Sequence, residues 1–282
     1  MIAEIYGLFR KTLPEIIRSP QTVEKTLQDP TNYIISTGNP QKPDGISVVN
    51  KNIILLLCVD SARQNEGIGT YLLQQSEAYI STQGYNNVII GAGEEYIMPG
   101  VPMNNGAHNF FEKRGYTHSW GDTACLDMSQ NLDNYSCDIS IGDVLCDITY
   151  RWATAADIAS TVECVTDAWK SFVQYYKDET LYEPNSATSV LIAEKNGEVL
   201  GTLMVSQNTE GEGIGAVGCT TTKGAFQGRG IATTLVKLGT KHLKEAGLRK
   251  GFLGYTYTDI VGMYARAGYE VCMEYFMAEK QL

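Results

Sequence analysis

The chain has 282 residues, a formal net charge of −10 and only three histidines, which is enough chain for about two domains with separate cores. That acidity excludes the basic footprint of a nucleic-acid binder, and no apolar run approaches the ~20 residues of a membrane span. Seven cysteines without a Cys-x-x-Cys pair, and histidines without metal-ligand spacing, point to reduced thiols and to no metal. The start, Met1-Ile-Ala-Glu4, lacks the basic-then-apolar layout of a signal peptide, so a cytoplasmic protein without membrane or nucleic-acid partners is expected.

In chain order, Ile2 to Leu13 reads as a helix with no strand before it. A β-like run ends at Val59-Asp60, and Gln64-Asn-Glu-Gly67-Ile-Gly69 then opens a helix whose apolar face would carry Ile68, Leu72, Gln75, Ser76, Tyr79 and Ile80. Gly84 stops that helix, and Val88 to Ile90 follows as a buried strand. Gly93 to Gly106, with Glu94, Glu95, Pro99, Gly100 and Pro102, predicts an ordered loop. Phe111-Glu-Lys-Arg-Gly115-Tyr116 closes the first half. Between Ser129 and Asp147 the chain carries Asp133, Asp138, Asp143 and Asp147 but no Lys or Arg, the pattern of a solvated connection. Residues 1–146 carry a net −7 and residues 147–282 a net −3.

The second half opens with Ile148-Thr-Tyr-Arg151 and Ala155-Ala-Asp157-Ile158, a strand and a helix start. Trp169, Phe172, Tyr175 and Tyr176 form an aromatic stripe at helical spacing, either core or, if exposed, a surface that stacks on a flat ligand such as a sugar. Val190 to Val205 reads as a hairpin around Asn196-Gly197. Thr220, Thr221 and Thr222 end the next strand, and Gln227-Gly228-Arg229-Gly230-Ile231-Ala232 opens a helix with Ile231, Leu235, Leu238, His242 and Leu243 on one face and Gly247 at its end. His242 there is a packing residue rather than a base. Phe252-Leu253 is the next buried strand, and Tyr264-Ala-Arg-Ala-Gly268-Tyr269 the closing helix.

The pattern Gln-x-x-Gly-x-(Gly/Ala) thus occurs twice, 163 positions apart, each time between a strand and a helix. Main-chain N–H groups of such a turn and the positive end of the helix converge on one point, which suits a pyrophosphate. Gly67 and Gly230 leave room for that approach, and Gly69 and Ala232 are small enough for the first helical turn to sit close to the sheet. Neither Gly-x-Gly-x-x-Gly nor Gly-Lys-(Ser/Thr) is present, so dinucleotide and P-loop readings are disfavoured.

The repeated loop resembles the acyl-CoA pyrophosphate loop of the GNAT (Gcn5-related) N-acetyltransferases, and the strand, helix, hairpin and Tyr-x-x-x-Gly-(Phe/Tyr) segments quoted above match the family's order in the second half. The resemblance implies an α/β (α+β) fold of two tandem GNAT-like domains, each a mixed, mostly antiparallel sheet flanked by helices. Residues 1–135 would form a degenerate N-terminal domain and residues 146–282 the catalytic C-terminal one. By this resemblance acetyl-CoA is the co-substrate, held by Thr220, Thr221, Thr222, Gln227, Gly228, Arg229, Gly230, Ile231 and Ala232, and in the first half by Gln64, Gly67 and Gly69. Arg229 either meets a phosphate or faces water. The family's tyrosine position is Tyr264 in the second half but Phe111 in the first, which has no hydroxyl, so a single competent site is expected.

Acetyl transfer to an amine needs a neutral amine, a polarised thioester and a proton for the departing sulfur. Tyr264 is assigned to the sulfur, although periodicity alone would make it a core aromatic beside Ile260 and Met263. An amine of pKa ~10.4 is neutral only about once in 2,500 molecules at pH 7, a penalty of roughly 4.6 kcal/mol. Asp259 is the first candidate base or, equally, the N-cap of the closing helix, with Asp167 and Asp178 behind it. Among tandem members the chain resembles the bacterial glucosamine/glucosaminide N-acetyltransferases, which implies a small-molecule amino-sugar acceptor. A polyamine, an aminoglycoside, a protein lysine, or a non-catalytic acyl-CoA sensor are the alternatives, and a monomer or a dimer is compatible with two fused copies.

Overall fold

The computed structural model describes residues 2–92 and 96–282, so the expectation for Glu94 and Glu95 lies outside the described residues. The chain divides into two compact units, Met1–Leu126 with Met273–Leu282, and Asp127–Cys272.

The first unit begins with α1 (Ile2–Thr12) and α2 (Pro20–Leu27). Pro20 stands at the start of α2, and the Ser19 hydroxyl caps it by accepting from the Thr22 N–H at 3.1 Å. Strands β1 (Tyr33–Asn39), β2 (Lys42–Asn50) and β3 (Ile53–Val59) form an antiparallel meander. Helix α3 (Ile68–Thr82) crosses to β4 (Asn87–Ile90), which pairs parallel with β3 at Ile53–Ile89 and Ile54–Ile90. The short β5 (Val101–Pro102), α4 (His108–Glu112) and β6 (Thr117–His118) follow. Leu72, Leu73, Ser76 and Ile80 are the buried positions of α3, whereas Gln75 is exposed. The sheet's demand is for an apolar side chain there, and the helix rotates Leu73 rather than Gln75 inward.

From Cys125 the chain runs through β7 (Cys125–Asn131), β8 (Val144–Leu145), β9 (Ile148–Trp152), α5 (Ile158–Ala168), α6 (Val173–Tyr176), β10 (Thr188–Lys195), β11 (Glu198–Gln207), β12 (Ile214–Thr222), α7 (Ile231–Glu245), β13 (Lys250–Tyr257), α8 (Thr258–Ala265) and β14 (Glu270–Phe276), of which Asp127–Cys272 form the second unit. The β10–β11 hairpin turns at Asn196 and Gly197, both with positive φ, as Asn-Gly predicts. β12 and β13 pair parallel over Ile214–Ala216 and Lys250–Phe252. On one face Leu203, Val205, Val217, Leu235, Leu238 and Leu243 pack together; on the other, Cys164, Val165, Tyr176, Val190 and Ile192 do. Each fully buried leucine of α7 contributes roughly 1.5–3 kcal/mol.

Strand order reveals how the units are completed. The first sheet runs β1-β2-β3-β4-β15-β6, where β15 (Ala278–Gln281) is the last strand of the chain. The second contains β13-β7-β14, so a strand from before its own first hairpin sits between two of its later strands. The stretch expected as a solvated connection therefore starts as a sheet strand, through Asn131. Its remainder packs on α7: Tyr135 OH donates to Lys237 O at 3.0 Å, and the Lys244 ammonium donates to Tyr135 O at 2.6 Å.

Close helix-to-sheet contact rests on a glycine pair beyond the two loops. A Cβ added at Gly45 would stand 2.8 Å from Ile68 Cγ2 and 2.9 Å from Leu72, and one at Gly201 would stand 2.8 Å from Ile231 Cγ2 and 3.3 Å from Leu235. The same helix positions meet the same strand position in both units. At Gly69, expected to allow this contact, an added Cβ would lie in ordinary contact with Phe110 at 3.4 Å and Val59 at 3.7 Å.

Candidate active site

Each loop ends in a glycine with left-handed backbone at the helix N-cap, Gly67 (φ 88°) and Gly230 (φ 82°), a conformation that costs an L side chain about 1–2 kcal/mol. The residue after the glutamine is left-handed in both as well, Asn65 (φ 64°) and Gly228 (φ 74°). The glutamines act as struts: Gln64 Nε2 donates to Val59 O at 3.3 Å and Gln227 Nε2 to Thr222 O at 3.2 Å, each reaching five residues back. No side chain caps α3 or α7. By helix geometry the first three N–H groups of each, at Ile68–Thr70 and Ile231–Thr233, are left without a helical acceptor and face the loop. That is an anion cradle, and in the first unit Gln64, Gly67, Gly69 and Thr70 line a cavity of about 700 Å³.

In the second unit the cradle stands beside a wedge. Past Ala216 and Phe252 the parallel strands no longer pair. A β-bulge interrupts β12 opposite β11, where Cys219 has φ 48°, and Tyr255 in β13 has φ 57°. Two non-glycine residues in left-handed backbone mid-strand mark a held, strained site. Buried hydroxyls hold it. The Tyr176 OH donates to Cys219 O at 2.6 Å, Thr202 Oγ1 donates to Tyr176 OH at 2.9 Å, and Thr202 and Thr221 hydroxyls lie 2.7 Å apart. On β13, the N–H of Tyr255 donates to the buried Asp127 Oδ1 at 2.9 Å.

Tyr264 closes the wedge. Its ring packs in the core with Ile231 and Tyr269, and its OH donates to Thr220 Oγ1 at 3.1 Å. Burial pushes the phenol up to about 12, with its hydrogen bond to Thr220 pulling the other way. Against a thiol near ~8.5, such a phenol keeps its proton. At neutral pH it is a hydrogen-bond donor that retains its proton.

Residues 156–269 match the family model described as the acetyltransferase (GNAT) family. The second unit is a GNAT acetyltransferase domain. Solved structures extend the likeness in fold to the whole chain. A GCN5-related glucosamine N-acetyltransferase region of a fungal multi-domain β-N-acetylglucosaminidase aligns with a TM-score of 0.77 at 17% identity over 99% of this chain. This chain spans 36% of that protein's length. A GCN5-related N-acetyltransferase from Sphaerobacter thermophilus aligns at 0.72 and 20% identity over 100% of this chain and 93% of its own. A tandem GNAT protein from the clavulanic acid biosynthesis pathway aligns at 0.71 and 14% over 99% and 94%. No curated protein matches the chain by sequence. Across the whole chain the fold is a tandem GNAT arrangement with mixed sheets flanked by helices.

Within the GNAT domain the structure brings Tyr264, Thr220 and the Gln227–Ala232 loop to one wedge. Thr221 turns its hydroxyl into the core, toward Thr202. Thr222 lends its carbonyl to Gln227, while its own buried hydroxyl has no protein partner. Arg229 folds back over its loop, donating to Ala225 O at 3.1 Å with its guanidinium 5.0 Å from the Phe226 ring. Asp259 is exposed in the first turn of α8, whose N-cap is Tyr257, so the capping alternative fails. The two second-choice acids are engaged: Asp178 caps the turn at Thr180, and Asp167 Oδ2 accepts the Gly224 N–H at 2.8 Å, fastening α5 to the start of the loop. His242 packs against Trp152 with ring centroids 4.7 Å apart.

The first unit shows what was subtracted. Phe111 is buried where Tyr264 stands in the other unit, with the same chain reversal behind it: Tyr116 N–H donates to Phe111 O, and Tyr269 N–H to Tyr264 O, both at 3.2 Å. Seven residues before each loop glutamine stand Leu57 and Thr220. Both members of the hydroxyl pair are thus apolar in the first unit, and Leu57 and Phe111 line its cavity. The Thr220–Tyr264 pairing joins residues 44 apart, and no motif in the sequence announces it. Glu66 also stands where the second loop has Arg229, and pairs with Arg63 at 2.9 Å.

Proposed function

We propose that the chain is an acetyl-CoA-dependent N-acetyltransferase acting on a primary amine of an amino sugar, with chemistry in the second unit. The observation that carries this is the buried Tyr264 hydroxyl, 3.1 Å from Thr220 Oγ1, beside an uncapped helix and a strained strand bulge. Acetyl-CoA supplies the acetyl group and the thiol leaving group. The main-chain amides of Gly228–Thr233 fit its diphosphate: they are open, no side chain blocks them, and Gly230 has nothing within 4 Å of where a Cβ would stand. Strand β12 beside the bulge offers main-chain donors for the acyl oxygen. The amine nitrogen forms the new C–N bond as the C–S bond breaks, and its surplus proton leaves through water to Asp259. Around an ideal helix Asp259 and Tyr264 lie about 140° apart, so the carboxylate serves the solvent-facing amine and the phenol the buried sulfur.

The amino-sugar acceptor is supported by the glucosamine N-acetyltransferase region among the similar folds and by the aromatic surface described below. In the first unit the intact loop and its cavity support binding of a CoA-type ligand without turnover by Gln64, Gly67 and Gly69, weakened by the carboxylate of Glu66. A thiol-release assay with acetyl-CoA across glucosamine, its oligomers, polyamines, aminoglycosides and peptides tests the reaction. In that assay Tyr264→Phe should lower kcat by roughly 10²-fold or more with the KM for acetyl-CoA within a factor of about two. Wild-type turnover unchanged by Tyr264→Phe removes the mechanism, and calorimetry giving one CoA per chain removes the second site.

A further inference from the structure

The aromatic stripe of the second unit is not one helix. Trp169 ends α5 in extended backbone (φ −157°), a 3₁₀ turn covers Lys170–Phe172, and α6 is a single turn. The break sorts the rings by role. Tyr176 goes fully inside, Phe172 is half-buried, and Trp169 and Tyr175 stay 49% and 43% exposed. Half of the indole stays in water, so part of its roughly 150–250 Å² of mostly apolar surface is left uncovered.

Two contacts locate Trp169 at the mouth of the wedge. Two residues earlier, Asp167 is fastened to the Gly224 N–H at the entrance of the cofactor loop. On its other side the Trp169 ring lies 6.2 Å from the ring of Tyr257, tilted by 34°. Tyr257 ends β13 and begins α8, the helix that carries Tyr264, and it is near enough that its charge would push the Tyr264 phenol upward. Phe172 extends the row, 6.2 Å from Trp169 and 6.3 Å from Tyr175. The exposed carboxylate of Asp259 follows Tyr257 by two residues.

We infer that Trp169 and Tyr257 form the floor on which the pyranose ring of a glucosaminide acceptor stacks, its amino group turned toward Asp259 on the solvent-facing side. This rests on acetyl transfer in the second unit and names the acceptor's binding surface. A pyranose presents a flat face of C–H groups that matches aromatic rings, with hydroxyls at its rim left to water. A linear polyamine has no such face and would use only the charge.

The test uses the full chain saturated with CoA and titrates it with the β-1,4-linked dimer of glucosamine and, separately, with spermidine, by calorimetry, alongside steady-state kinetics with acetyl-CoA. Trp169→Ala should weaken binding of the dimer, and raise its KM, by roughly tenfold, while the KM for acetyl-CoA and the melting temperature stay as in the wild type. Trp169→Phe should recover most of the affinity. Dimer binding that is absent from the wild type, or unaffected in Trp169→Ala, overturns the platform, as does tight binding of spermidine alone. Trp169-dependent dimer binding without any acetyl transfer would instead sink the transferase reading and leave the platform standing.

Discussion

Tyr264 shows how a single hydroxyl acquires a role from its surroundings. By periodicity it is a core aromatic, and it is indeed buried among Ile231 and Tyr269; what distinguishes it is an OH that reaches Thr220 at the edge of the wedge. Because burial raises this phenol to about 12, it is protonated throughout the working range of pH. The proton is held more tightly in the folded chain than in the unfolded one, where a phenol titrates near ~10. The contribution to stability is therefore whole below about pH 10 and is lost as pH rises through about 12. For catalysis the expected outcome is a kcat/KM that climbs with deprotonation of the acceptor amine and shows no Tyr264-dependent fall below about pH 11. A descending limb near pH 8–9 that disappears in Tyr264→Phe would contradict the burial argument.

At the scale of elements, the strained bulge of β12 is held from the opposite face of the sheet by α6. Tyr176 is the key: its OH gives a hydrogen bond to Cys219 O and takes one from Thr202, with Tyr182 OH bonded to Tyr176 O behind it at 2.9 Å. Tyr176→Phe keeps the ring's packing but orphans a buried carbonyl, at a cost of about 1–3 kcal/mol. The bulge should relax, so kcat falls by roughly tenfold or more while the KM for acetyl-CoA, which the proposed function assigns to the loop at Gln227–Thr233, changes little. A loss of stability with kcat untouched would show that Tyr176 only fills space. The sequence marked Tyr176 merely as one ring of a stripe, because nothing local tells an inward ring from an outward one when the helix between them breaks. The two loops, by contrast, were legible residue by residue, since left-handed backbone at an N-cap restricts those positions to glycine.

For the molecule as a whole, each unit includes a strand from the other half of the chain. β15 supplies the strand between β4 and β6, with Ala278 and Glu279 paired to His118 and Thr117, and Lys280 to Val88. β7 supplies the strand between β13 and β14. Deleting Ala278–Leu282, the tail of the second half, should therefore loosen the first unit. Hydrogen exchange should report loss of protection at β4 and β6 by more than about tenfold, or 1.4 kcal/mol, with the amides of α7 and β12 little affected. Unchanged protection at β4 and β6 would mean that β15 is dispensable there. A linear division at residues 135 and 146 cannot express this arrangement, because strand membership is decided by pairing and not by order along the chain.

Local rules were sufficient for the tandem layout, the two glycine-ended loops, the Asn196-Gly197 hairpin, the buried strands and the contrast of Tyr264 with Phe111, because each depends on residue type and short spacing. Tertiary structure alone decided the exchange of β7 and β15, the engagement of Asp167, the exposure of Asp259 and Trp169, and the pairing of Tyr264 with Thr220. The Tyr264–Thr220 and Asp167–Gly224 contacts span 44 and 57 residues of chain, a matter of packing and hydrogen-bond satisfaction that no periodicity along the sequence encodes.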